Sequence, residues 1–247
     1  MAGGTWQSQN KIRPGVYIRF KSTSGLGLNV GERGTVTICE PMSWGPVAQV
    51  MEIEAGADTT PYTGYDITAP QNRFLNEIFK GTNRTAAPTK VLLYRPSASS
   101  SAQATASISP LTATAKYPGV RGNDITIVVT ALTEPSGSFT VSTVVDGTVV
   151  DQQTAAKVED LVANDWVTWS GTGTLAASTG AALAGGEDGT VQSAAYTSYL
   201  SAIEPYKFDV MIYDGTDSTV QDALTAFIKR IADEAGVYAQ LVASGLT

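Results

Sequence analysis

Histidine is absent from the 247-residue chain, and cysteine occurs once, at Cys39. Without histidine the chain cannot build a Ser-His-Asp or Cys-His catalytic centre, a histidine-ligated zinc site or a histidine proton shuttle. A single cysteine cannot form an internal disulfide, and its place in the apolar run of residues 36–39 predicts a small buried core residue. These two absences exclude histidine-dependent catalysis and an internal disulfide, and they leave carboxylate-based sites to be considered.

Positive charge and long apolar runs are also scarce. The chain has 16 Lys and Arg against 23 Asp and Glu, a net charge of -7, whereas nucleic-acid phosphates require clustered cations. No apolar run approaches the roughly 20 residues of a membrane-spanning helix. Residues 1–6 show neither the positive nor the apolar region of a secretory signal. We therefore expect no nucleic-acid partner and no membrane insertion.

The cations of residues 1–31 all precede the first acidic residue, Glu32, so a basic segment is followed by an acidic body. Apolar and polar side chains alternate in this segment, which predicts a strand with one buried face, and the glycine-rich residues 22–31 predict a flexible linker. Such a strand is suited to pairing with the sheet of a neighbouring copy, and an edge strand on its own domain is the alternative. The predicted subunit-contact arm comprises Ile12, Arg13, Pro14, Gly15, Val16, Tyr17, Ile18, Arg19 and Phe20.

Two separate parts of the chain, residues 32–96 and 189–247, predict one three-layer α/β domain. Ser218 and Gln221 fit a capping box at the start of the last helix, and Gly236 is its predicted end. The order of the strands does not follow from the sequence. Strands are predicted at residues 35–40, 49–54, 91–94, 208–213 and 237–242, and helices at residues 68–80, 191–203 and 218–235.

Between residues 97 and 188 the composition changes and strand-like segments recur, which predicts an inserted, mostly antiparallel β domain. Asp146 and Gly147 lie between β-branched runs, which is a strong hairpin signal, and residues 157–163 fit a short helix. Because both boundaries are rich in small residues, we expect few contacts to cross them and the insertion to be excisable. Strands are predicted at residues 105–109, 111–116, 125–132, 139–145, 148–152 and 165–170.

A rigid turn is predicted where the inserted region begins its β-branched block. Pro118 has a fixed φ, the glycines allow positive φ, and the Asn-Asp pair supplies side chains that close turns. The predicted domain-junction turn comprises Tyr117, Pro118, Gly119, Arg121, Gly122, Asn123 and Asp124.

This turn also carries a family resemblance. Residues 115–125 (AKYPGVRGNDI) resemble a signature of contractile-tail sheath proteins, from phages and phage-tail-like bacteriocins. Three further stretches fit the same family in the same order: residues 14–18 (PGVYI), residues 77–81 (EIFKG) ahead of the strand at 91–95, and residues 185–190 (GGEDGT).

The resemblance implies a structural protein without enzymatic activity or cofactor. Sheath subunits stack as six-fold rings around a rigid tube, exchange terminal strands, and contract to drive the tube through a target envelope. The implied partners are other sheath subunits, the inner tail tube, the baseplate and the tail terminator, in a virion tail or phage-tail-like particle synthesised in the host bacterial cytoplasm. Family members continue past residue 247 into a domain that packs on the tube, so we expect that domain to be absent here.

Two clusters of carboxylates offer a different class of function. Asp214 and Asp217 follow a predicted central strand, where an α/β enzyme or ligand-binding protein could hold Mg²⁺, although Asp217 or Ser218 could instead cap the helix. Glu52 and Glu54 share one strand face, as a glycosidase pair would, and a solvated face is the alternative.

Overall fold

The computed structural model describes residues 34–81 and 86–244. The predicted arm of residues 12–20 and its linker lie outside the described residues and stay predictions. The strands, in chain order, are β1 (Thr35–Cys39), β2 (Val50–Glu54), β3 (Lys90–Tyr94), β4 (Ala98–Ser99), β5 (Thr105–Ile108), β6 (Leu111–Ala115), β7 (Ile125–Ala131), β8 (Phe139–Val145), β9 (Thr148–Ala155), β10 (Val167–Ser170), β11 (Ser178–Ala182), β12 (Thr190–Val191), β13 (Val210–Tyr213) and β14 (Gln240–Ala243).

The helices lie mainly outside the long β-rich stretch. Single 3₁₀ turns occur at Pro70–Asn72, Val120–Asp124 and Val158–Asp160. No helix among the described residues combines the length and the hydrophobicity that a membrane crossing requires. The α-helices are α1 (Thr60–Thr63), α2 (Arg73–Phe79), α3 (Ser193–Ile203) and α4 (Ser218–Ala235).

Five strands from the two flanking parts of the chain form one sheet in the order β14-β13-β1-β3-β2. All neighbours are parallel except β2, which runs antiparallel to β3 at the edge. In β1 the side chains alternate between two hydrophobic clusters, with Val36 and Ile38 in one and Cys39 in the other. This alternation follows from the two-residue period of a strand, so both faces of the sheet are covered.

Helices α3 and α4 cover one face of this sheet. The apolar side chains of α4 recur every three or four residues and lie with Tyr199 and Ile203 of α3 in the same cluster as Leu92 and Met211 of the sheet. Tyr199 is 1% exposed, and its hydroxyl lies 2.8 Å from the Thr37 hydroxyl on β1. The shorter α2 packs on the other face through Leu75, with Val91 and Leu93 of β3.

The β-rich stretch contains two further sheets, in the orders β10-β6-β5 and β11-β7-β8-β9. Their alternating inward side chains share one hydrophobic core, which includes Leu111 and Ala113 from one sheet and Ile125, Ile127 and Val141 from the other. The two sheets therefore face each other across a common interior, as in a β-sandwich.

Two chain crossings join the β-rich stretch to the five-stranded sheet, and they pair with each other. Strand β4 lies antiparallel to β12, with Ala98 opposite Val191 and Ser99 opposite Thr190. The side chain of Ser99 also donates a 3.1 Å hydrogen bond to the Thr190 carbonyl oxygen. The pairing continues inward through a bridge between Ala102 and Glu187.

Several boundaries differ from the sequence-based prediction. The helix predicted at residues 68–80 begins as a 3₁₀ turn at Pro70 and is α-helical only from Arg73. The 3₁₀ turn ends at the buried Asn72, whose side-chain amide nitrogen lies within hydrogen-bond distance of four oxygens. The helix predicted at residues 157–163 is only the 3₁₀ turn Val158–Asp160. The capping box is also wrong, since α4 is capped by Asp217, whose side chain accepts from the Thr219 N–H. Gly236 ends α4 in a left-handed conformation, as predicted.

Candidate functional site

The predicted junction turn lies against the loop between β1 and β2. Gly119 has φ +131°, and a side chain there would collide with the backbone of Ser43. Only glycine allows this conformation together with so close an approach of two backbones. The turn then forms the 3₁₀ segment Val120–Asp124 and leads into β7.

Arg121 is the central side chain of the turn and is 4% exposed. Its Nε donates to the Gly64 carbonyl oxygen at 3.0 Å, and Nη1 donates to Asp124 Oδ2 at 3.0 Å. Nη1 and Nη2 together form a two-pronged contact with Asp146, at 3.0 and 2.6 Å. The guanidinium carbon lies 4.1 Å from the centre of the Tyr65 ring. One side chain thus binds the turn, the β8–β9 hairpin and the loop after α1.

The electrostatics of this cluster favour its charged form. Burial alone lowers the pKa of Arg121, but the hydrogen bonds to Asp146 and Asp124 raise it above its ordinary value. The same hydrogen bond from Arg121 holds the pKa of Asp146 below its ordinary value. Asp146 therefore stabilises the fold while it is ionised, and this contribution is lost as the pH falls through its depressed pKa.

Arg95 is a second buried arginine at the same junction, 3% exposed at the end of β3. Its Nη1 donates to the Gly45 carbonyl oxygen and its Nη2 to the Pro118 carbonyl oxygen, both at 2.8 Å. Burial lowers the pKa of Arg95 to about 10, against a smaller opposing effect of Asp188. The side chain is still cationic at neutral pH, and it joins the β1–β2 loop to the turn.

The segment of residues 185–190 docks on the same turn. Asp188 accepts from the Val120 N–H at 2.8 Å and from the Ser43 hydroxyl at 3.0 Å. Asn123 donates to the Gly186 carbonyl oxygen at 3.0 Å and accepts from the Gly186 N–H at 2.8 Å. Two of the stretches that carry the family resemblance, residues 115–125 and 185–190, are therefore in direct contact.

Trp44, from the β1–β2 loop, lies in the interior of the sandwich. It is 1% exposed, and its ring meets Tyr117 edge-on at 5.4 Å and Trp166 at 5.0 Å between ring centres. The expectation that few contacts cross the boundaries of residues 97–188 is therefore wrong. Sequence reasoning interpreted residues 41–46 only as a turn, although a tryptophan amid proline and glycine was a signal of local burial.

The other candidate residues from the sequence have separate roles. Both oxygens of Asp217 are occupied, one by the Thr219 N–H at 2.8 Å and the other by the Ser193 hydroxyl at 2.7 Å. Glu52 is exposed and pairs with Lys90 at 2.9 Å. Within the described ranges no group of three or more Cys, Asp or Glu side chains is positioned to hold a metal ion.

Sequence reasoning missed one carboxyl pair, Glu40 and Asp214. Each follows one of two adjacent parallel strands, β1 and β13, in which Ile38 lies opposite Ile212. Burial raises the pKa of Glu40 to about 8, and the charge of Asp214 and a hydrogen bond to it add to the effect. Both predicted strands end in an acid, but only their parallel adjacency brings the acids together.

Family models for two domains of tail sheath proteins match the chain in succession. The N-terminal region of domain III of tail sheath protein Gp18 matches residues 33–95, and the phage tail sheath protein beta-sandwich domain matches residues 99–188. Together the two matches span more than half of the chain. The chain belongs to the phage tail sheath family.

Individual relatives agree with this assignment. The phage-like element PBSX protein XkdK of Bacillus subtilis is 34% identical over 257 residues, covering 96% of this chain and 53% of that protein. The crystal structure of a sheath tail protein from Desulfitobacterium hafniense matches with a TM-score of 0.79 and 41% identity, over 92% of this chain and 52% of that one. The crystal structure of a sheath tail protein from Listeria innocua matches with a TM-score of 0.72 and 30% identity, over 85% of this chain and 47% of that one. The sheath chain thus spans about half the length of these relatives.

The family assignment gives the junction a context. Sheath proteins are structural proteins of phage tails, and the mixed helix-and-sheet fold described above is similar to sheath structures. The junction turn lies inside the stretch that matches the sandwich domain, and Trp44, Gly45, Gly64 and Arg95 lie inside the stretch that matches domain III.

Proposed function

We propose that the sheath chain is part of a subunit of a contractile tail sheath, which stacks as six-fold rings around an inner tube and contracts to drive that tube through a cell envelope. The observation that carries the proposal is the succession of two sheath-domain matches along one chain. A structural likeness over 92% of the chain to a sheath tail protein supports it.

The proposed organisation has three parts. Residues 1–31 are the arm and linker, residues 32–96 with 189–247 form a three-layer α/β domain, and residues 97–188 form an inserted β domain. Hydrophobic clusters on both faces of the five-stranded sheet support the three layers. In this organisation Arg121 and Arg95 lie at the junction, and force applied to the inserted domain passes to the α/β domain through their hydrogen bonds.

The arm is the proposed connector between subunits. Its apolar side chains, Val16 and Ile18 among them, would be buried against a neighbouring copy, and each would contribute roughly 1.5–3 kcal/mol before ordering costs. The inner tube, the baseplate and the tail terminator are the other proposed partners, in a virion tail or phage-tail-like particle made in the bacterial cytoplasm. The proposed role requires no cofactor and no catalytic site.

Immunogold electron microscopy of tail particles from producing cells tests this function. Antibodies raised against the 247-residue chain should label the shaft of the tail along its whole length, in both extended and contracted particles. Antibodies preabsorbed with the chain are the control. Labelling confined to the baseplate, the capsid or soluble cell protein would contradict a sheath role.

A further inference from the structure

The sequence contains three Asp-Gly steps, and the fold gives their carboxyl groups different surroundings. A glycine leaves its own backbone nitrogen unshielded, because it has no Cβ, and the nitrogen can then attack the side-chain carboxyl carbon of the preceding aspartate. The product is a five-membered succinimide ring, and hydrolysis of that ring yields aspartate or isoaspartate. The three steps are Asp146-Gly147, Asp188-Gly189 and Asp214-Gly215.

Two of these carboxylates are held by donors of the junction. Both oxygens of Asp146 accept from Arg121, at 3.0 and 2.6 Å. Asp188 accepts from the Val120 N–H at 2.8 Å and from the Ser43 hydroxyl at 3.0 Å. Such donors favour the ionised carboxylate, which reacts poorly because an oxide ion is a poor leaving group. The fold therefore protects these two steps.

The third step has the opposite surroundings. Asp214 is exposed, and residues 214–217 have no regular secondary structure between β13 and α4. Among the described residues, no cation or N–H donates to the Asp214 carboxylate, and the Gly215 N–H makes no hydrogen bond. The neighbour of Asp214 is instead the carboxyl group of Glu40, because the two acids follow adjacent parallel strands, β13 and β1.

Glu40 has the properties of a proton donor to this step. Burial, with the charge of Asp214 as a smaller cause, raises the pKa of Glu40 to about 8, and the two side chains are hydrogen-bonded. Glu40 is therefore mostly protonated at neutral pH. Two carboxyl groups that share one proton can act as a general acid and its reaction partner. Proton donation by Glu40 would let an oxygen of Asp214 leave as water.

We propose that Asp214-Gly215 is the site of isoaspartate formation in this chain and that Glu40 is the general acid for it. The Gly215 nitrogen bonds to Asp214 Cγ while one Cγ–O bond breaks and its electron pair stays on the oxygen. That oxygen takes one proton from Glu40 and one from the Gly215 N–H, and it leaves as water. Hydrolysis then consumes one water, opens the ring at either carbonyl carbon and returns a proton to Glu40. The inference does not depend on the proposed sheath function.

Isoaspartate at this position would alter the connection between β13 and α4. The main chain becomes one carbon longer three residues before Asp217, which caps α4. Ser244, which follows β14, donates to the carbonyl oxygens of Asp214 at 2.7 Å and Gly215 at 3.2 Å, so the longer main chain would displace both acceptors. The glycine is itself required, because a Cβ there would collide with the Tyr213 side chain.

Incubation of the folded 247-residue chain at neutral pH for several weeks tests the proposal. Trypsin should place the three steps in separate peptides, residues 122–157, 158–207 and 208–229, and electron-transfer mass spectrometry assigns isoaspartate to a residue within each. We expect isoaspartate to accumulate at Asp214 at least ten times faster than at Asp146 or Asp188.

Three variants identify the cause. Glu40→Gln keeps the shape of the side chain but removes its acid, and it should slow the reaction at Asp214 about tenfold or more. Asp214→Glu should abolish the reaction, because a six-membered ring forms far more slowly. Glu54→Gln removes an exposed carboxylate elsewhere and should leave the rate unchanged. In concentrated urea all three steps should react at similar rates, with or without Glu40→Gln.

Three results would overturn the proposal. They are a reaction at Asp146 or Asp188 as fast as that at Asp214 in the folded chain, an unchanged rate at Asp214 in Glu40→Gln, and equal slowing by Glu54→Gln. A Glu40→Gln chain that had lost its fold would react at all three steps, which distinguishes misfolding from loss of the acid. The comparison of the three steps in the unaltered chain would then still test the site.

Discussion

At the junction turn, Arg121 is buried with every nitrogen of its guanidinium hydrogen-bonded, whereas at the ends of β1 and β13 the half-buried Glu40 lies beside another acid. In the first region opposite charges and carbonyl oxygens satisfy the buried group. In the second, two carboxyl groups face each other and one buried oxygen has no partner among the described residues. A satisfied polar cluster fixes the position of its elements, while an unsatisfied buried polar group lowers the stability of the fold around it.

The largest expected effect comes from removing the aromatic side chain that fills the junction. We expect Trp44→Ala to lower the free energy of unfolding by about 3–5 kcal/mol, because a large cavity forms in the sandwich core. Chemical denaturation measures this loss, and hydrogen exchange should show reduced protection in both β7 and β3. Tyr238→Ala, at a tyrosine that is 84% exposed, is the control and should change stability little. Reduced protection confined to the sandwich would contradict a shared junction.

The second-largest expected effect comes from replacing Arg121, the buried cation of the junction turn. Arg121→Met should lower the free energy of unfolding by about 2–4 kcal/mol, because the Gly64 carbonyl oxygen and Asp146 lose their donor. Arg230→Met is the matched control, since Arg230 pairs with Glu204 and Glu234 on the surface and should cost about 1 kcal/mol or less. If urea unfolding showed the same loss of unfolding free energy for both variants, burial would not be what makes Arg121 more important for stability than Arg230.

The third prediction concerns Glu40, whose replacement should raise the free energy of unfolding by an amount that depends on pH. Because the pKa of Glu40 in the fold is raised to about 8, the folded state binds its proton more tightly than the unfolded state does. Stability is therefore greatest below the ordinary pKa of a glutamate and falls as the pH rises toward 8. Glu40→Gln should leave stability unchanged at pH 4.5 and raise it by about 2 kcal/mol at pH 8.5.

Thermal unfolding at the two pH values measures this difference. Glu54→Gln is the control, because Glu54 is exposed on β2. A Glu40→Gln gain that is the same at both pH values would show that burial of an ionised carboxyl is not its cause.

The smallest effect compares two acids only three residues apart. Asp217→Ala should destabilise the chain by about 1 kcal/mol, since the side chain caps α4. Asp214→Asn should cost nothing at pH 8.5, because it removes a charge that faces Glu40. Ser218→Ala should be neutral if Asp217 is the cap. Differential scanning calorimetry of the three variants would refute this ranking if Ser218→Ala were the most damaging.

The periodic parts of the chain could be predicted from the sequence for physical reasons. Helix α4 has a continuous apolar stripe, and strands such as β7 and β8 are β-branched with strict alternation. Strand β11 (STGAA) was missed because its small residues have little strand preference and its identity depends on pairing with β7. The local sequence pattern was therefore sufficient to predict a helix or strand wherever buried side chains recur at a regular spacing.

The candidate sites depended on contacts between distant residues. Turn chemistry predicted the junction segment, but nothing local indicated that Arg121 would reach Gly64 and Asp146, 57 and 25 residues away. The Glu40–Asp214 pair likewise follows from strand order, which the sequence did not determine. Sequence reasoning therefore located one site without its partners and missed the other.

The pairing of β4 with β12 has a mechanical consequence. A body attached through one peptide strand can swivel, because single bonds in that strand rotate freely. Here the outgoing and returning strands are hydrogen-bonded side by side, with Ser99 bound to Thr190 and Ala102 bridged to Glu187. Rotation of the sandwich about these two crossings would have to break the hydrogen bonds between β4 and β12. The paired crossings therefore resist torsion between the sandwich and the five-stranded sheet.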